Sequence, residues 1–261
     1  MPSKSSNNSA SARGVVVITG ASSGLGAEMA RQFAALGYDL GLCARRTDRL
    51  AALADEVRSA TGRHVQTASL DVTDPDAVTG VFYRFADIFG SIDRIVVNAG
   101  ISGGSPIGTG DAQANYNIIA TNVAGALAQC EAALEIFRKQ SRGHLVLLSS
   151  MAGLRGLPGY RTVYAASKAA VASLGEGLLN ERTPNVDVTV VYPGLIRSEI
   201  SAHLEGNRMM VDTADGVRAI VSAVEKRRAK AYIPRWPYAA VAAVLRVAPL
   251  SVVRGLFARA S

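Results

Sequence analysis

The chain has 261 residues but only two cysteines, three histidines and one tryptophan, and aromatic residues make up 6% of it. Each shortage excludes something. Cys43 and Cys130 have no partner at metal-ligand spacing, and no histidine, cysteine and carboxylate cluster marks a metal site. Both sit in apolar surroundings and read as buried free thiols, which suits a reducing cytoplasm. The formal charge is +7, yet the basic residues are scattered and no aromatics alternate with them. Nucleic acid wants a basic surface with stacking rings, so it is not an expected partner. Met1 to Arg13 is rich in serine and asparagine and has no apolar core. It reads as a disordered tail, not a secretory signal.

What is present fits a packed globular protein, with 49% hydrophobic and 19% charged residues. The length allows one large α/β domain, from residue 14 to residue 234. Gly14 to Thr19 is a β-branched run, read as a buried parallel strand. Gly20-Ala21-Ser22-Ser23-Gly24-Leu25-Gly26 follows, and Ala27 to Leu36 has a helical apolar stripe. A glycine-rich turn between a strand and a helix N-terminus lets backbone N–H groups approach a pyrophosphate. A second strand, Tyr38 to Ala44, ends in Arg45-Arg46. In dinucleotide folds an acidic residue at that place grips a ribose 2′-hydroxyl, and arginine accommodates a 2′-phosphate. Arg45 and Arg46 therefore favour NADP(H) over NAD(H).

His64 to Leu70 reads as a third strand leading into Asp71-Val72, and Ile92 to Val97 as a fourth leading into Asn98-Ala99-Gly100. Asp71 either accepts from the adenine amine or ties its own turn. The small residues after the fourth strand leave room for the adenosine. Asp74-Pro75 starts a helix running to Phe89. Ala112 to Lys139 is a long apolar helix that contains Asn122, and Gly143 to Ser149 is the fifth strand.

Tyr164 and Lys168 lie four apart, which stacks them on one helix face. Alone, such a pair is an ordinary solvated helix face. Behind a phosphate-binding turn it takes on chemistry. A free tyrosine titrates at about 10, and a neighbouring ammonium lowers that value toward a useful acid or base. A hydroxyl from Ser150 would hold a carbonyl oxygen beside the phenol.

Taken together, these residues resemble the short-chain dehydrogenase/reductase family. The carriers are Thr19 to Gly26, Asn98-Ala99-Gly100, Asn122, Ser150, Tyr164 with Lys168, and Pro193-Gly194, in the family's order and nearly at its spacings. The resemblance implies a single Rossmann-type, doubly wound α/β fold, with a mostly parallel seven-stranded sheet and helices on both faces. The strand–helix alternation gives the same fold class.

By resemblance, Tyr164 is the general acid/base and Lys168 binds the nicotinamide ribose and lowers the Tyr164 pKa. Ser150 orients the substrate oxygen, and Asn122 holds a water in a proton relay. Gly20, Ser22, Ser23, Gly24 and Leu25 surround the phosphates. Pro193, Gly194, Ile196 and Ser198 line the nicotinamide side, and Asp71, Val72, Asn98, Ala99 and Gly100 the adenosine side. The family commonly dimerises through the Tyr164 helix and the long helix before it. The alanines of those helices fit a homodimer or homotetramer, and fit packing on the sheet equally well.

Two departures stand out. Val97 occupies a position where the family often has asparagine, so a tie between strands is expected to be missing. Fourteen positions separate Ser150 from Tyr164, one more than is usual, so the Arg155 to Val163 loop is expected to bulge.

Val186 to Tyr192 reads as the sixth strand and Tyr232 to Pro234 as the last. Pro193 to Asp212 between them reads as a mobile lid with methionines and few charges, over a lipophilic substrate. Residues 235–261 form an apolar extension with four arginines and no acidic residue, broken by Pro249. No apolar run there is long enough to span a bilayer. The extension meets a membrane interface, the pocket wall or a partner subunit. The reaction expected is the interconversion of a carbonyl and an alcohol. The competing reading is a dinucleotide-binding sensor or scaffold without turnover, and within the same fold an NAD-dependent alcohol dehydrogenase.

Overall fold

The structure, a computed structural model, describes residues 12–204 and 209–252. Seven strands form one sheet: β1 (Val15–Thr19), β2 (Asp39–Ala44), β3 (Val65–Ser69), β4 (Arg94–Val97), β5 (Gly143–Leu148), β6 (Val186–Pro193) and β7 (Lys230–Ile233). Their order is β3-β2-β1-β4-β5-β6-β7, and every neighbouring pair is parallel. The expected mostly parallel sheet is wholly parallel among the described residues. The order reverses between β1 and β4, which opens a crevice beyond their carboxyl ends.

Strand side chains alternate between two cores, as the period of two demands. Val16, Ile18, Val96 and Val146 face one core with Phe33 of α1 (Gly24–Ala35), Leu50 of α2 (Thr47–Thr61) and Ile220 of a later helix, Thr213–Glu225. Val17, Ile95, Val97 and Leu147 face the other with Phe82 of α3 (Pro75–Phe89) and with Phe137 and Val171, each from a later helix. Strands β1, β4 and β5 are therefore apolar on both faces, which explains their near-continuous apolar runs. The Asp74 side chain accepts from Ala77 N–H and Pro75 sits in the first turn, so α3 begins where the sequence places it.

The long helix expected over Ala112 to Lys139 is not uniform. It comprises α4 (Ala112–Ile119), a π turn at Ala120–Ala124 and α5 (Gly125–Gln140). The wider turn carries Asn122, which is 1% exposed. Such insertions recur at functional sites because they re-aim a side chain inside a regular helix. After β5 comes a single 3-10 turn, Met151–Leu154, then α6 (Arg161–Glu181). The region after β6 holds another 3-10 turn, Glu199–Leu204, before α7 (Thr213–Glu225).

The two ends of the chain differ from expectation. Of the segment Met1 to Arg13 read as a tail, residues 1–11 lie outside the described residues, but Arg13 belongs to the fold. Its N–H donates to Gly37 O at 2.9 Å and its guanidinium pairs with Glu225 at 2.8 Å. At the other end, α8 (Arg235–Val247) buries Tyr238 and Ala242 against Met151, Val190 and Tyr192. Ala248 leaves the helical conformation just before Pro249. Trp236, Val244 and Val247 remain exposed. No helix of the described residues is long and apolar enough to cross a membrane.

A polar network lies under the β4 side of the sheet. Arg94, 5% exposed, donates to Glu225 at 2.7 Å and from Nε to His144 Nδ1 at 3.1 Å. That contact makes Nδ1 the acceptor, so the proton sits on Nε2, 2.8 Å from Thr189 Oγ1. Burial, reinforced by the Arg94 and Arg227 charges, pushes the His144 imidazole down to about 3 from an ordinary 6.5. The folded protein thus keeps His144 neutral while the unfolded chain takes up a proton below pH 6.5. The stability this group contributes is present above that value and is lost as pH falls toward 3. Denaturant unfolding from about pH 8 to about pH 5 should show a loss approaching about 1.4 kcal/mol per pH unit at the acid end. His144→Gln, which keeps one acceptor and one donor, should flatten that part of the curve. Parallel curves for the two proteins would exclude His144 as the source.

Candidate active site

The site forms at the carboxyl ends of β1, β4, β5 and β6. Thr19 ends β1, and its Oγ1 accepts from Asn98 N–H and Ala99 N–H, each at 3.0 Å, and donates to Val96 O at 3.3 Å. Asn98 Nδ2 returns a bond to Thr19 O at 2.8 Å and reaches Gly20 O at 3.4 Å. The inter-strand tie expected to be missing at Val97 is therefore made by the next residue. Val97 itself is buried in the core, and Asn98 fixes the turn instead of offering its amide to the crevice.

The glycine turn is forced by close approach. Gly20 has φ +63°, and a Cβ there would lie 2.8 Å from Ala99 Cα. A Cβ on Gly26 would lie 2.5 Å from Gly20 O. Ser23 is the N-cap of α1, yet its hydroxyl does not cap the helix and no acidic residue stands in the first turn. The helix dipole and its first N–H groups thus face the crevice without an anion from the helix's own first turn. Leu25 packs on the core behind the turn.

The residues after β2 divide. Arg45 turns to Asp71, at 3.8 Å. Asp71 Oδ1 accepts from the Thr73 N–H at 3.0 Å and its hydroxyl at 2.8 Å, which holds the carboxyl below its ordinary range. Of its two expected roles, this geometry is the turn tie. Arg46 instead turns to the glycine loop, with Nε 3.2 Å from Ser22 Oγ and Nη2 2.5 Å from Ser23 Oγ. Arg49, one turn into α2, joins it at a shared carboxylate, Glu199. Neither Arg49 nor Glu199 is singled out by sequence reasoning. Arg49 was legible in principle as the i+3 neighbour of Arg46 on a helix start.

Val72 and Ile196 turn inward. Val72 packs on Gly125 and Ile196 on Gly216, and both are buried. Only their main chains are left for a cofactor.

The chemistry-bearing side chains converge from β5 and α6. Ser149 is buried and donates to Lys168 O at 2.7 Å, so it anchors the helix. Ser150 is the hydroxyl that acts on the Tyr164 phenol, and it accepts from Ala152 N–H at 3.1 Å. The longer loop closes through a turn at Gly159-Tyr160 and leaves this contact intact. Burial raises the Tyr164 phenol, and the Ser150 bond opposes it. The depression expected from Lys168 is not among the causes of this shift, whose direction burial sets. Lys168 is 6% exposed and donates from Nζ to Leu148 O at 2.9 Å. Burial brings its ammonium down to about 8.

Asn122 clamps rather than reaches outward. Its Oδ1 accepts from Ile101 N–H at 2.8 Å, and its Nδ2 donates to Ile101 O at 2.9 Å and Ser167 Oγ at 3.0 Å. Both amide hydrogens are spent on protein. Asn122 Oδ1 and Lys168 Nζ both lie against Gly100, where even a methyl group would crowd them. Ser167, fully buried, passes the contact to Tyr164 O at 2.8 Å.

The segment after β6 closes the site. Gly194 lies flat on the Tyr238 ring, where a Cβ would come within 2.4 Å of ring carbons. Tyr238 Oη accepts from Leu195 N–H at 3.1 Å and donates to Met209 O at 3.2 Å, so one phenol pins both ends of the lid. Arg197 N–H to Val211 O and Val211 N–H to Leu195 O, each 3.0 Å, complete the closure. Ser201 Oγ accepts from Ser198 N–H at 2.9 Å and donates to Ile196 O at 2.7 Å. The Ser198 side chain faces Gly24 of the phosphate turn.

A cradle that any side chain would fill, an uncapped helix N-terminus and arginines beyond β2 suit a nicotinamide dinucleotide. Comparison with known proteins agrees. The family model described as short chain dehydrogenase matches residues 14–208. An uncharacterized oxidoreductase of Mycobacterium tuberculosis is 47% identical over 241 residues, covering 92% of this chain and 95% of its own. A short chain dehydrogenase/reductase from Burkholderia phymatum in complex with NAD superposes with a TM-score of 0.79 at 26% identity, over 90% of this chain and 92% of its own. An alcohol dehydrogenase from Thermococcus sibiricus complexed with 5-hydroxy-NADP does so at 0.74 and 26%, over 81% and 90%. The chain is an oxidoreductase fold built around a dinucleotide site, and it belongs to the short-chain dehydrogenase/reductase family.

Proposed function

We propose that the protein is an NADP(H)-dependent oxidoreductase that interconverts a carbonyl and a primary or secondary alcohol on a lipophilic substrate (EC 1.1.1.-). The observation that carries the reading is the Ser150–Tyr164–Lys168 cluster at the same sheet edge as the glycine turn. A bound nicotinamide supplies or accepts the hydride. Ser150 and Tyr164 hydrogen-bond the substrate oxygen from one side. In reduction, Tyr164 gives that oxygen its phenolic proton. The phenolate left behind is held by the Ser150 hydroxyl and by the charge of Lys168. Asn122, through Ile101 and Ser167, fixes the walls around Lys168. The preference for NADP(H) is supported by Arg46 and Arg49, which together grip an anion beside Ser23. Met209 and Ile200, both partly exposed on the lid, support a lipophilic substrate.

Two contacts extend the reading. A groove between Val123, Leu127, Leu174 and Leu178 on α5 and α6 supports a homodimer. Exposed Trp236, Val244 and Val247 near Arg235 and Arg246 support peripheral contact with anionic membranes. The cellular site in keeping with both is the cytoplasm, at or near a membrane.

Tyr164→Phe should lower kcat by at least about a thousandfold while NADPH binding stays intact. Turnover close to wild type with a ketone and aldehyde panel would remove the acid/base role, and no turnover by the wild type across broad panels would favour a sensor. Arg46→Ala and Arg49→Ala should each weaken NADPH by about 1.5–3 kcal/mol and NADH by less. An unchanged ratio of the two dissociation constants would reject that assignment. Light scattering behind a sizing column, then flotation with anionic vesicles, tests the two contacts: a monomer ends the first, and protein that never floats ends the second.

A further inference from the structure

Glu199 reaches across the crevice. Its carboxylate accepts from Ser23 Oγ at 2.9 Å, from Arg46 at 3.0 and 3.3 Å, and from Arg49 at 2.6 Å. The first partner follows β1 and the other two follow β2, while Glu199 itself follows β6. The carbonyl of the next residue, Ile200, accepts from Ser102 Oγ in the segment after β4, at 3.5 Å. One short turn therefore touches three loops around the point where strand order reverses.

The place where Glu199 ends is chemically defined. Arginines after β2, facing the glycine turn, mark where the adenosine ribose brings either a 2′-hydroxyl or a 2′-phosphate. A carboxylate and a phosphate ask the same of guanidinium groups, namely paired N–H donors aimed at anionic oxygens. Both cannot use Arg46 and Arg49 at once.

We propose that Glu199 is a cofactor-selecting residue. Its carboxylate occupies the 2′-phosphate position as an internal anion, a 2′-phosphate displaces it from Arg46 and Arg49, and a neutral 2′-hydroxyl does not. The inference rests on the NADP(H) reading and adds the residue that tempers that preference. The bonds from Arg46, Arg49 and Ser23 hold the Glu199 carboxyl down at about 2, so it is an anion at any working pH. All four side chains are partly exposed, and exposed ion pairs exchange at little net cost. That balance lets an incoming phosphate replace the carboxylate. The base of the lid does not need to open, because Tyr238 and Val211 hold it independently. Ser201 binds the turn to itself through Ser198 N–H and Ile196 O, so the Glu199 turn moves as one piece.

Calorimetric titration of NADPH and NADH into the full chain tests this, using wild type, Glu199→Gln and Arg46→Ala. Glu199→Gln keeps the shape and removes the charge. It should tighten NADPH about tenfold and change NADH less than about twofold. Amide exchange across Arg197–Leu204 should rise on adding NADPH and not on adding NADH. A wild type that prefers NADPH, with a preference that Arg46→Ala abolishes and Glu199→Gln leaves unchanged, overturns this proposal alone. Equal weakening of both cofactors by Glu199→Gln overturns it too, since Glu199 would then be a positive contact. A wild type that binds NADH as tightly as NADPH, with Arg46→Ala neutral, overturns the NADP(H) reading and this inference with it.

Discussion

A lysine ammonium held almost entirely out of water sets the terms for the site. Lys168 is one helical turn beyond Tyr164, and burial brings it to about 8. Among the described residues its nitrogen meets the Leu148 carbonyl, not a carboxylate. A dipole is a weak substitute for a counter-ion, so the ammonium gains most from whatever negative charge arrives nearby. Tyr164, four positions earlier on α6, is the group that the proposed reaction would turn negative. Burial alone raises that phenol, and a resting phenolate is thereby avoided. In the proposed reaction, charge develops only when proton transfer demands it, and Lys168 is already in place when it does.

The sheet supplies the geometry that keeps this arrangement usable. Parallel strands end on one side, and the reversal between β1 and β4 leaves room there. Thr19 and Asn98 stitch those two strand ends together, so the glycine turn and the adenosine side keep a fixed separation. From the far side, the π turn delivers Asn122 to Ile101 and α6. Helix α6 is thus held at Ser167 by Asn122 and at Lys168 by Ser149, which follows β5.

Much of this was readable in the residues. The β-branched runs, the glycine turn and the alternation with helical stripes specify a parallel α/β sheet, because only buried strands are apolar on both faces. Tyr164 and Lys168 follow from helical spacing, and Ser150 from its distance to them. Other features were hidden because they depend on contacts distant in sequence. Glu199 meets Arg49 across 150 positions and Arg46 across 153. Tyr238 looked like one more apolar residue of a basic tail, since nothing local reveals that its hydroxyl faces Leu195 and Met209. Val72 and Ile196 sit in the right segments, yet their side chains point into the cores. The tie expected to be missing because of Val97 is made one residue later, since a period-two strand sends Val97 into the core while Asn98 follows the strand's end.

The placement of Tyr238 bears on how the protein is made. Everything needed for proton transfer has left the ribosome well before α8 is synthesised. The floor beneath Gly194 and the clasp that closes the lid arrive with that last helix. A nascent chain can thus assemble most of its sheet while its nicotinamide side stays unsupported. The pocket is therefore completed only once α8 has packed beneath β6.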